Sequence, residues 1–133
     1  MSTSKVLYLG GLRTQSTHLS SGDSYLTDAP VDNQGKGEAF SPTDTVATGL
    51  ANCMLTVMGI KANGLEVNME GTEALVTKIM SSNPRRISEI KVVLTFPEGI
   101  SEKNQKILEN TARTCPVALS LHPEIIQDIQ FLW

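Results

Sequence analysis

The sequence predicts an α+β protein, and three observations carry that reading. Short alternating segments broken by turn residues fill the first quarter of the chain. A long, uncharged, apolar helix pattern follows, and then more strands flank a second, amphipathic helix pattern. Strands grouped on either side of helices, rather than strictly alternating with them, mark this class. At 133 residues the chain suits one domain spanning 1–133 with a core of its own.

The first predicted strand covers residues 5–9, and Gly10-Gly11 turns the chain into a second over 12–19. Ser20-Ser21-Gly22-Asp23 marks the next turn, before a third strand over 24–27. Residues 28–40 are polar and glycine-rich. A loop of about a dozen residues inside a small domain is usually functional or mobile, and this one is expected to border a site.

Ser41-Pro42-Thr43-Asp44 is a helix start. Ser41 suits the N-cap, Pro42 the first helical position, and Asp44 the return contact of a capping box. No charged residue lies between Asp44 and Lys61, and Val46, Leu50, Cys53, Met54, Leu55, Val57, Met58 and Ile60 go all the way round. That pattern predicts a helix buried on every side, stopping near Asn63-Gly64. Residues 65–70 alternate and read as a strand, followed by strands over 72–81 and 87–96. Ser101 should cap a helix running to about Arg113. Cys115-Pro116 opens a further short helix that His122-Pro123 ends, and a last strand covers 125–133.

Composition narrows the function. Hydrophobic residues are 40% of the chain, charged residues 19% and aromatic residues 5%, as in a soluble globular protein. A formal net charge of −3 with few aromatics gives no basis for binding nucleic acid or an anionic membrane. No unbroken apolar run approaches the roughly 18 residues of a bilayer span, and the start of the chain lacks a secretory h-region, so a cytoplasmic location is expected. His18 and His122 show no ligand spacing. Two cysteines cannot hold an iron–sulfur cluster alone, and no phosphate-binding or dinucleotide motif is present. Neither a metal nor a cofactor is expected.

The two cysteines are 62 positions apart, which excludes a CxxC pair. Cys53 lies about 13 Å along its helix from Asp44, beyond much help from the positive helix end. A reactive thiolate there needs a cation, and a buried, inert core cysteine is the plain reading of the helix alone. Cys115, as the N-cap before Pro116, meets free N–H groups that favour a thiolate or a sulfur leaving group. Arg13 is the early cation best placed to serve a central helix. Glu38, in the long loop, could orient an arginine or accept a proton. Arg85-Arg86 reads as a solvated hairpin tip and Arg113 as the basic end of a helix.

Taken together, the stretch from Phe40-Ser-Pro-Thr-Asp to Leu50-Ala-Asn-Cys-Met54 and the later Cys115-Pro-Val-Ala-Leu-Ser120 resemble the OsmC/Ohr family, the osmotically inducible and organic hydroperoxide resistance proteins. The resemblance implies an OsmC-like fold: antiparallel sheets around a long buried central helix, in an intertwined homodimer with two sites at its interface. It implies a thiol-dependent peroxidase in which Cys53 is the peroxidatic cysteine, Cys115 resolves it, and Arg13 stabilises the thiolate. The implied substrate is an organic hydroperoxide and the implied reductant an external dithiol, of the lipoyl type in some members. In one respect the chain departs from the pattern. Thr43 stands where the peroxidases carry a glutamate, which leaves Asp44 or Glu38 to orient the arginine. The alternative is a dimeric small-molecule-binding or stress protein with the same fold and no peroxidase turnover.

Overall fold

The computed structural model describes residues 1–133 and is α+β, with two three-stranded sheets and three helices. Its contacts group the chain into two compact units, residues 1–46 and 47–133.

The first unit is an antiparallel meander of β1 (Ser4–Gly10), β2 (Arg13–His18) and β3 (Ser24–Asp28), in that order. Gly10, Gly11 and Leu12 all adopt positive φ in the first turn, a conformation that costs glycine little. Arg13 therefore begins β2 at a fixed place, paired with Gly10 on one side and Asp28 on the other. The apolar side chains of this meander, among them Val6, Leu7, Tyr8, Leu9, Tyr25 and Leu26, are exposed. Its buried residues are Thr27, Asp28 and Ser41, all polar.

Helix α1 (Pro42–Gly64) opens as predicted. The Ser41 N–H donates to Asp44 Oδ2 at 2.9 Å, and the Asp44 N–H donates to Ser41 Oγ at 3.1 Å, a complete capping box. Burial of the helix is not all-round, contrary to expectation. Ala47, Leu50, Ala51, Met54, Met58 and Ala62 form one buried stripe at helical spacing, whereas Val46 and Ile60 are exposed. One chain supplies only enough surface to cover one face. By length and composition alone α1 could cross a membrane, since its 23 residues include an 18-residue window with a mean hydropathy of 1.2. The buried stripe shows the use this helix serves here, as a core element.

The strand expected over 65–70 is absent. Glu66 takes a left-handed conformation (φ 57°), its N–H donates to the Asn63 carbonyl at 3.3 Å, and the Val67 N–H donates to the Ala62 carbonyl at 2.9 Å. This is a Schellman ending, so the backbone groups a strand would need are used to close the helix.

The second sheet contains β4 (Glu73–Ser81), β5 (Arg86–Thr95) and β6 (Ile126–Leu132). β4 and β5 form an antiparallel hairpin. β6 pairs parallel to β5, which corrects the expectation of wholly antiparallel sheets. A parallel neighbour needs a crossover, and here it is made by α2 (Glu102–Arg113) and α3 (Pro116–Ser120). The Ser101 hydroxyl caps α2 by accepting the Asn104 N–H at 3.3 Å.

The core lies in this unit. Leu50, Met54 and Met58 of α1 cluster with Ile90, Val92 and Leu94 of β5 and with Leu108 and Ala112 of α2. Arg86 departs from the expected solvated hairpin tip, whereas Arg113 is the basic end of α2 as expected. Arg86 is half-buried and reaches Glu124 at 3.5 Å, and the Arg113 guanidinium lies 5.2 Å from the centre of the Phe131 ring.

Candidate functional site

Four side chains were singled out by the sequence, and the structure gathers them as two pairs, one in each unit.

In the first unit Arg13 and Glu38 form an ion pair, with Nη1 to Oε2 at 3.3 Å. Glu38 thus holds the arginine, and the Asp44 carboxylate accepts the Ser41 N–H in the capping box. The Thr43 hydroxyl lies 3.2 Å from Ser41 Oγ and also belongs to the helix start. Asp28, which the sequence reading passed over, adjoins the pair. It is buried, and its Oδ2 accepts the Glu38 N–H at 2.9 Å. Its strand register could have flagged it, since a hairpin centred between Ser20 and Ser21 places residue 28 opposite residue 13.

In the second unit the two cysteines come together. Cys53 projects from the middle of α1 at the margin of the core and is half-buried, whereas Cys115 is buried, and both are free thiols. Cys115 is the N-cap of α3. Its Sγ accepts the Ala118 N–H at 3.4 Å, and its carbonyl accepts the Leu119 N–H at 3.1 Å. Pro116 supplies the first helical residue, as the sequence predicted. Cys53 is a near neighbour of Cys115 and helps its thiol to hold its proton.

The Cys115 thiol is pushed above its ordinary value of 9.0, chiefly by burial. The Ala118 N–H opposes that shift and the neighbouring Cys53 thiol adds to it. This corrects the expectation for the N-cap position. The helix end does favour a thiolate, but burial outweighs one long hydrogen bond to sulfur. Cys115 is the deeper sulfur of the two.

No group of three or more His, Cys, Asp or Glu side chains is arranged to hold a metal ion. His18 bonds Ser21 Oγ at 2.7 Å, and His122 accepts the Glu124 N–H at 3.1 Å. A concavity of about 500 Å³ lies around the end of α1, lined by Gly59, Ala62, Asn63 and residues 66–70, and neither cysteine borders it.

A sequence model of the family described as OsmC-like protein matches residues 35–129, more than two thirds of the chain, including both cysteines and Glu38. The chain belongs to the OsmC-like family. Among solved structures, this OsmC-like chain is similar to a Psychrobacter arcticus protein that bears a provisional name as an osmotic stress induced and detoxification response protein. The two are 57% identical with a TM-score of 0.95, over 98% of this chain and 96% of that one. An organic hydroperoxide resistance protein OsmC from Legionella pneumophila shares the fold at 15% identity and a TM-score of 0.78, over 100% and 98% of the two chains. A similar likeness holds for an organic hydroperoxide resistance protein from Elizabethkingia anophelis, at 13% identity and a TM-score of 0.76, over 99% and 96%. No curated protein matches the sequence.

Proposed function

We propose that this OsmC-like protein is a thiol-dependent peroxidase that reduces organic hydroperoxides. The observation that carries the reading is the thiol pair, a half-buried Cys53 neighbouring a buried, proton-retaining Cys115. Such a pair divides the labour of a two-cysteine cycle. The more accessible sulfur meets peroxide, and the deeper one waits as a protonated thiol until its neighbour has been oxidised.

The Cys53 thiolate attacks the distal oxygen of ROOH. An S–O bond forms, the O–O bond breaks, and the departing alkoxide takes up a proton to leave as alcohol. The sulfur has lost two electrons and stands as a sulfenic acid. Cys115 then attacks it. An S–S bond forms, and the sulfenic oxygen leaves as water with the proton of the Cys115 thiol. An external dithiol, of the lipoyl type, exchanges with the disulfide and restores both thiols while becoming a disulfide itself. In this reading Arg13, oriented by Glu38, favours the Cys53 thiolate and the charge on the leaving oxygen. The working form is a homodimer, in which a second copy covers exposed apolar side chains such as Ile60, Tyr8 and Leu9.

Consumption of cumene hydroperoxide with dihydrolipoamide as reductant tests the reading. The wild type should turn over, faster than with hydrogen peroxide, and Cys53→Ser should abolish turnover. Retained activity in that variant would sink the assignment. One observation favours a second reading, a small-molecule-binding or stress protein without turnover: Thr43, bonded to Ser41, occupies the glutamate position of the peroxidases. That reading predicts no catalytic consumption of peroxide by the wild type.

A further inference from the structure

The Arg13–Glu38 pair is made of two long side chains that retain access to water, Arg13 about one-third exposed and Glu38 more than half. A pair of that kind gains little from its own attraction and loses side-chain entropy in holding one geometry. If it is to present a guanidinium in a fixed direction, something less mobile must fix it. Arg13 is fixed by its place at the start of β2. Glu38 lies in a loop and has no such support from a strand.

Asp28 supplies that support. It ends β3, directly opposite Arg13 in the strand register, and it is 1% exposed. Its carboxylate accepts the Glu38 N–H at 2.9 Å, and its own N–H donates to the Phe40 carbonyl at 3.0 Å. The intervening chain is closed on itself. The Ala29 N–H donates to the Leu12 carbonyl, the Gly35 N–H to the Pro30 carbonyl and the Gly37 N–H to the Ala29 carbonyl. Gly35 approaches Ala29 so closely that a Cβ there would lie 1.7 Å from the Ala29 oxygen. The loop is thus a compact arm, tied at its far end to one carboxylate. A buried carboxylate costs free energy unless it is bonded, so its retention at this point argues for more than filling space.

We propose that Asp28 is the positioning residue of the Arg13–Glu38 pair: it clamps the Glu38 backbone so that the Glu38 carboxylate holds Arg13 in one orientation. The proposal rests on the peroxidase reading, in which that orientation serves Cys53. Asp28 is assigned no contact with the reacting atoms. Its effect on the reaction passes wholly through Arg13.

The test is a double-mutant cycle in the full-length protein, read as the rate of Cys53 oxidation by cumene hydroperoxide, together with hydrogen exchange of the Glu38 amide. Asp28→Ala should slow oxidation roughly tenfold, within the range a misplaced catalytic group costs, and speed Glu38 exchange. Asp28→Asn keeps an acceptor oxygen and should stay within about threefold of wild type. In an Arg13→Ala background Asp28→Ala should add nothing, because the group it positions is gone. Where Asp28→Ala does not fold, Asp28→Ser, polar but too short to reach the Glu38 N–H, carries the same expectations. Rate losses that multiply in the double variant, or a slowed reaction with unchanged Glu38 exchange, overturn the proposal. An Arg13→Ala rate equal to wild type overturns instead the role given to Arg13. Glu38 exchange then still reports whether Asp28 holds the arm.

Discussion

Replacing Cys115 separates the observed helix cap from the redox role proposed for the same sulfur. As the N-cap of α3, its Sγ accepts the Ala118 N–H at 3.4 Å in a buried setting. Cys115→Ala removes the acceptor and leaves that N–H without a partner, a loss of about 1 kcal/mol by the usual worth of an N-cap. For a chain of this size that lowers the melting temperature by about 3–6 °C. Cys115→Ser keeps an oxygen acceptor at a preferred capping residue, so it should melt within about 2 °C of the reduced wild type. The redox consequences should instead be identical. In the peroxidase reading neither variant resolves a Cys53 sulfenic acid, so each should complete one oxidation by cumene hydroperoxide and then stall or gain further oxygen atoms by intact mass, while the wild type should close to a disulfide. Thermal melts of reduced protein and intact mass after one equivalent of peroxide are the assays. A serine variant as unstable as the alanine one would refute the capping account. Undiminished turnover in either variant would refute the resolving role.

Three further outcomes follow from the geometry. Because burial makes the folded protein hold the Cys115 proton more tightly than the unfolded chain does, the stability it contributes is complete below pH 9.0 and is lost as pH rises through the higher folded value; reduced wild type should lose melting temperature above pH 9.0 more steeply than Cys115→Ser. Glu66→Gly relieves a positive-φ residue at an exposed helix end and should stabilise the protein by about 0.5–1 kcal/mol in urea titration, a loss of stability counting against the Schellman assignment. Leu50→Ala, at a fully buried position in the α1 stripe, should cost about 2–5 kcal/mol, and a cost below 1 kcal/mol would mean that the stripe is not the core.

Much of the fold was legible because local chemistry and tertiary use agree. The capping box of Ser41 and Asp44, the cap at Ser101 and the Cys115-Pro116 helix start are short-range devices, and all three appear where the sequence places them. The failures share a cause, which is that side-chain pattern does not reveal where backbone groups or neighbouring surfaces are. Val67 and Met69 alternate with polar residues as a strand would, yet the backbone there closes a helix. The apolar residues around α1 were read as evidence of enclosure, but a single chain encloses only the stripe from Ala47 to Ala62. The parallel pairing of β6 depends on a crossover whose direction no residue announces. At the candidate site, residue type pointed to Arg13, Glu38, Cys53 and Cys115, and burial then assigned Cys115 the deeper position. Asp28 stayed hidden because a lone aspartate before a proline-containing loop looks like turn chemistry. Only its burial and the bond to Glu38 show otherwise.

The meander of residues 1–46 has a consequence for how the protein can exist in water. Its interior side is polar and its oily side chains face outward, so a peptide cut off at residue 46 would have almost nothing to hide and every reason to stay unstructured or clump. Arg13 and Glu38 sit on that segment. In the proposed homodimer a second copy would cover that oily surface, and dilution to the monomer should then loosen the Arg13–Glu38 pair before the core around Leu50.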